Sequence, residues 1–159
     1  LRMRPDAELG AQLLPKLMAH GIEATLARAT QAASLLKERA TFVDDMLEGT
    51  YLFTHGSPLI DNTVANEELK KRWKPEVAPA IEDFLLKLER IREFSPGAIE
   101  TAFNEMLQEK TMKIGQVMPV YRLFVAGRTQ GPGMFDVSAL LGREEVVERL
   151  KAGLALCRP

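Results

Sequence analysis

The sequence predicts an all-α protein, a helical bundle in two lobes, and three observations carry that prediction. Apolar residues recur at three- and four-residue spacing through most of the chain, which places them on one face of a helix. Glycine and proline interrupt the pattern at Gly21, Gly49, Pro75, Pro96, Gly127 and Gly142, where helices stop or start. No stretch alternates polar and apolar residues between hairpin turns, and nothing repeats at a fixed period, so neither a sheet nor a solenoid has its signature.

Taken in order, Asp6 is placed to cap a helix with Leu9, Leu13, Leu14 and Leu17 on one face, ending at His20-Gly21; Pro15 inside it should kink or divide it. Thr25 starts a second helix with Leu26, Ala29, Ala33 and Leu36 in register, and its many alanines favour close helix approach. Phe42, Val43, Met46 and Leu47 after Thr41 read as a short apolar helix ending at Gly49, and the helical pattern fails at Tyr51-Leu52-Phe53. The His55-Gly56-Ser57-Pro58 run puts a boundary at about 54–62, dividing the chain into lobes 1–58 and 59–159.

In the second lobe, Asn66 with Glu67 and Glu68 behind it reads as a helix start, acidic residues favouring the positive end of the dipole, and that helix stops near Trp73. Pro75 opens the longest helix, with Val77, Ile81, Phe84, Leu85, Leu88 and Ile91 inward and Glu82, Lys87, Glu89 and Arg90 outward. Ser95-Pro96 repeats the start signal ahead of Ile99, Phe103, Met106 and Leu107. Val117, Val120, Tyr121, Phe124 and Val125 fall at helical spacing up to Gly127, a new apolar helix begins near Phe135, and Val146, Val147, Leu150 and Leu154 form a terminal one.

Composition narrows the function classes. A chain of 159 residues, 46% hydrophobic and 27% charged, can bury roughly two thirds of its unfolded surface and is not a disordered composition. No run approaches the ~18 apolar residues of a membrane span and no signal peptide is apparent, so no membrane partner is expected and the cytoplasm is the default compartment. A net charge of −1 means that any nucleic-acid binding has to come from a local basic face.

Stand-alone chemistry finds little support. The one cysteine, Cys157, excludes an internal disulfide and a multi-cysteine metal site, and His20 and His55 read as helix-end or loop residues. Gly131 and Gly133 lack the preceding strand and third glycine of a dinucleotide fingerprint. Asp44-Asp45 and Glu144-Glu145 are sequence neighbours that do not face each other on a helix and read as solvated. Trp73 beside Lys70, Lys71, Arg72 and Lys74 reads as an amphipathic residue amid solvated lysines, with an RNA-backbone contact as the functional alternative.

The stretch from Lys113 to Glu145 carries the most polar equipment between apolar helices. Its loop, Arg128-Thr129-Gln130-Gly131-Pro132-Gly133, offers a guanidinium, two side chains able to bond base edges, and a turn that exposes backbone groups. Arg122 lies in an otherwise apolar helix, where the residues alone favour an internal ion pair. The pattern K-I-G-x-V, Arg122, A-G, G-P-G-M-F and L-L-G-R-E-E resembles the C-terminal anticodon-binding region of bacterial glutamyl-tRNA synthetases, in which K-x-G-x-V…L-R…T-G…T-P-G-L-F…A-L-L-G-K-E is expected. The resemblance extends more weakly back to about Leu35.

That resemblance implies a fragment of a class I glutamate–tRNA ligase that recognises the anticodon and is not itself catalytic. It implies that Arg122 helps read a base, and that the family's base-contacting positions fall on Pro132, Met134 and Phe135; ordinary core is the alternative for Met134 and Phe135. Two departures stand out. The family's loop threonine falls on Gly131, which passes recognition to backbone groups, Thr129 or Gln130; and the first-lobe arginine before a Thr-Leu pair falls on Glu38, with Arg39 one place later. The expected partners are the anticodon stem-loop of tRNA-Glu and an N-terminal catalytic domain of the same polypeptide. ATP and Mg2+ belong to that domain, and no cofactor is expected here. A helical protein–protein adaptor is the alternative function.

Overall fold

The computed structural model describes residues 3–37 and 43–157, and among these every regular element is helical. They form two compact units, Leu1–His55 with Gly131–Gly133, and Gly56–Gln130 with Met134–Pro159. The expectations placed on Glu38, Arg39, Thr41 and Phe42 lie outside the described residues.

The first unit contains α1 (Asp6–Ala19), α2 (Leu26–Leu36) and a 3₁₀ stretch, Val43–Leu52, bent at Gly49. Pro5 rather than Asp6 occupies the cap position of α1, and no side chain caps it. Asp6 is drawn instead to Lys37, whose Nζ lies 2.6 Å from Oδ1 and holds the carboxyl below its ordinary pKa. Pro15 does not divide the helix; Pro15 and Ala11 are both exposed, so the carbonyl that loses its helical donor can turn to water.

Leu9, Leu13 and Leu17 are fully buried, opposite Ala29, Ala32 and Ala33 of α2. The small residues permit close approach: a Cβ on Gly10 would stand 2.6 Å from the Thr30 Cα. Thr25 caps α2 by accepting from the Arg28 N–H at 3.1 Å. Leu26, expected in the buried register, is 51% exposed, because the first turn projects past the packed stretch. The helical pattern does not fail at Tyr51-Leu52 as expected; the 3₁₀ stretch runs on to Leu52, whose carbonyl accepts from Arg28 Nη2 at 2.8 Å.

The second unit contains α3 (Thr63–Arg72), α4 (Val77–Arg90), α5 (Pro96–Lys110), α6 (Ile114–Ala126), α7 (Met134–Leu141) and α8 (Arg143–Cys157). Two starts differ from the sequence reading. Asn62, not Asn66, caps α3 through the Ala65 N–H at 3.1 Å, while the Asn66 amide donates to the Leu59 and Asn62 carbonyls, both at 2.8 Å. Pro75 lies in a turn two residues before α4, and α5 and α8, at 15 residues, are longer than α4 at 14. Ser95 caps α5 as expected, accepting from the Ala98 N–H at 3.2 Å.

α4 packs on α5, α6 and α8. Its stripe of Val77, Ile81, Phe84, Leu85 and Leu88 is buried. An aromatic cluster joins three helices, with Phe84 5.3 Å from Phe103 and 5.1 Å from Tyr121, and Phe103 5.6 Å from Tyr121; each such pair adds about 0.5–1.5 kcal/mol beyond its buried area. At the surface, Lys87 ties α4 to α5, its Nζ 2.7 Å from Glu109 and 3.4 Å from Asp83.

Candidate nucleic-acid interface

The site is built on the C-terminal half of α6. Val117, Val120, Tyr121, Leu123, Phe124 and Val125 are fully buried, and Arg122, about 100° around the helix from Tyr121, is half-buried. Gly127 ends the helix in the left-handed region, φ 68°, and its N–H donates to the Leu123 carbonyl at 2.9 Å. No other residue fits there, since a Cβ would lie 2.9 Å from Pro58 Cβ and 3.1 Å from Asn62 Nδ2.

Two long-range ties hold the orphan carbonyls of this helix end. Asn62 Nδ2 donates to the Gly127 carbonyl at 3.2 Å, so one side chain caps α3 and fixes the end of α6. Arg149 of α8, fully buried, donates from Nη1 to the Val125 carbonyl at 2.7 Å and from Nε to Glu145 Oε1 at 2.9 Å. That same oxygen accepts from the Gly56 N–H at 2.8 Å. Glu145, read from sequence as solvated, is therefore a partner of a buried charge. Sequence reasoning missed Arg149, although its signal was present: a glutamate one turn earlier, with Val146 and Leu150 on the same helix.

On the other flank, the Tyr121 hydroxyl meets the Ser138 hydroxyl and donates to the Met134 carbonyl at 3.3 Å. This fixes the first turn of α7 on α6. Burial pushes the Tyr121 phenol well above its ordinary value, against the opposing pull of Ser138 and the nearby Arg122 charge, so it acts as a neutral hydroxyl. Phe135, half-buried, leans on Phe103 at 5.7 Å and Tyr121 at 6.4 Å. Tyr121 thus supports two candidates at once, Arg122 beside it in the chain and Phe135 against its ring.

Between the fixed helix ends, Arg128, Thr129 and Gln130 are exposed. Gly131 and Pro132 are half-buried and group with the first unit. Met134 is 2% exposed: its side chain is core, the alternative weighed for it, and it is not part of the expected surface loop. Glu38 and Arg39 lie outside the described residues.

Trp73 ends α3, half-buried, its ring 6.0 Å from Phe124. Lys71 and Arg72 reach Glu68 at 3.5 and 3.4 Å in exposed pairs, which are worth about 0.2–1 kcal/mol each. Among the described residues no group of His, Cys, Asp or Glu could hold a metal ion, and no helix is long and apolar enough to cross a membrane.

A fold of pinned helices presenting a polar loop defines a class that comparison makes explicit: residues 8–154 match the anticodon binding domain family, and the chain belongs to it. Its relatives include the glutamate–tRNA ligase of Bacteroides thetaiotaomicron, 28% identical over 99% of this chain and 31% of that protein. That of Flavobacterium johnsoniae is 31% identical over 94% of this chain and 29% of the relative. The fold matches the crystal structure of a glutamate tRNA ligase from Elizabethkingia meningosepticum in complex with its amino acid, with a TM-score of 0.84 and 23% identity over 98% of this chain and 30% of that one. The chain thus spans about 30% of the length of these proteins.

Proposed function

We propose that this chain is the anticodon-binding part of a glutamate–tRNA ligase of class I, acting in the cytoplasm. It holds the anticodon stem-loop of tRNA-Glu while an N-terminal catalytic domain of the same polypeptide, with ATP and Mg2+, attaches glutamate. The observation that carries this reading is the exposed Arg128-Thr129-Gln130 segment next to a helix end fixed by Gly127, Asn62 and Arg149: polar groups on a rigid mount can select a base, whereas the same groups on a mobile loop only attract charge.

Arg122, seated on a helix, is suited to a base edge, and Arg128 to a phosphate or a base. Thr129 and Gln130 take over the hydroxyl lost where the family's threonine falls on Gly131, with Gly131 and Pro132 supplying backbone groups. Phe135 offers a partly open ring for stacking, and Met134 supports it from the core. Glu38 and Arg39 are the candidates for the third anticodon base. The adaptor reading gains nothing from the charged loop. Binding of the purified chain to a tRNA-Glu anticodon stem-loop, set against the same stem with a scrambled loop, tests the proposal. Tighter binding to the former is expected; equal binding overturns it.

A further inference from the structure

A second basic feature lies away from the loop. Lys71, Arg72 and Lys74 line a cleft of about 210 Å³ with Glu76, Val77, Gly115, Gln116 and Pro119, where the end of α3 and the start of α4 face the start of α6. Three cations and one carboxylate thus surround an opening floored by apolar groups. Lys71 and Arg72 share Glu68, but among the described residues Lys74 has no ion-pair partner, and it is exposed. Gly115 leaves its wall open, for a Cβ there would meet nothing within 4 Å. The first turn of α6 is already engaged, Gln116 Oε1 accepting from the Lys113 N–H at 2.8 Å, so the cations rather than the helix terminus supply the attraction.

The cleft is also held in place. Trp73 sits between Arg72 and Lys74 with its ring against Phe124, and Val77 beyond them is buried. The cations therefore project from an anchored turn, not from a free end. In a chain whose net charge is −1, three cations within four positions form a local field that the whole molecule does not have.

We infer that this cleft binds a phosphodiester of the RNA backbone, a second contact separate from base reading by the loop. Lysines and an arginine facing phosphate add affinity that depends on salt and not on sequence. The inference rests on the RNA-binding reading above, and its test separates the two.

The experiment is a fluorescence-anisotropy titration of the chain and its Lys71→Gln/Lys74→Gln variant, over a series of KCl concentrations. The RNAs are the anticodon stem-loop with the cognate and with a scrambled loop. Both replaced residues are exposed, and a thermal melt confirms folding. The variant is expected to bind both RNAs more weakly by the same factor, with the slope of log K against log salt reduced by about 1–2. An unchanged slope with intact loop discrimination overturns the cleft assignment alone. A slope that falls in the variant while neither protein discriminates between loops overturns the anticodon reading alone. A parent chain that binds no RNA at low salt overturns both. Binding of a polyglutamate peptide that is lost in the variant while the RNA slope stays unchanged assigns the cleft to an acidic protein partner instead.

Discussion

Replacing Arg149 with methionine should unfold the second unit more readily than any exposed substitution does. The guanidinium is fully buried and meets the Val125 carbonyl at 2.7 Å and Glu145 at 2.9 Å. Methionine keeps much of the apolar volume, so the loss reports on charge and hydrogen bonding rather than on a cavity. What remains is a carboxylate whose side chain is 12% exposed, keeping the Gly56 N–H but no buried cation, and a helix-end carbonyl without this donor. Breaking one partner out of a buried ion pair costs about 3–5 kcal/mol, which at this chain length lowers the melting temperature by roughly 6–20 °C. Trp73 is the chain's one tryptophan and packs on Phe124 in the same unit, so its fluorescence in a urea titration reports this unit directly. Adding Glu145→Gln should recover part of the loss, because no uncompensated charge is then buried. A single variant within about 1 kcal/mol of the parent, the size of an exposed pair, would refute the reasoning.

Three further outcomes follow from the same geometry. Gly127→Ala should destabilise by about 2–4 kcal/mol, from the left-handed backbone and the displacement of Pro58, and an unchanged urea midpoint contradicts this. Tyr121→Phe should cost about 1–3 kcal/mol because the buried Ser138 loses its partner, and Tyr121→Phe/Ser138→Ala should regain part of it; strict additivity of the two single changes would show that the hydroxyls are not coupled. Glu109 has its pKa lowered first by the Lys87 hydrogen bond, so its contribution is complete above the ordinary value near 4.5 and fades as pH falls through the lowered one. Melting temperatures between pH 2.5 and 6 should therefore show a shallower acid limb for Glu109→Gln, and identical limbs would sink the assignment.

The sequence made local signals legible and left long-range ones hidden. Thr25 and Ser95 cap helices where the reading placed them, because each bond spans three residues. Gly127 stops α6 because its left-handed backbone is a local property, although the reason no side chain fits there, Pro58 and Asn62, lies some 65 positions away in the chain. The start of α3 was misplaced for the same reason: two asparagines compete, and contacts with Pro58, Leu59 and Gly127 decide between them. Pro75 offered a first-turn signal that the chain uses for a turn. In the candidate site the exposed loop and the position of Arg122 were readable, but the burial of Met134 depends on α7 folding back onto Tyr121. Arg149 and Glu145 look like surface charges until α8 is laid against α6.

The central claim is that a helix-mounted guanidinium reads a base, and the most direct measurement is the ratio of dissociation constants for the cognate and a loop-mutated tRNA-Glu anticodon stem-loop, taken for the parent chain and for Arg122→Ala. Loss of a base-edge contact should weaken cognate binding by about 1–3 kcal/mol, roughly 5- to 150-fold, and mutated-loop binding by less, so the ratio shrinks. Arg128→Ala in the same assay should lower both affinities more evenly and reduce the salt slope. A folded Arg122→Ala protein that keeps the parent's affinity for both loops would contradict the account and leave Arg122 a structural residue.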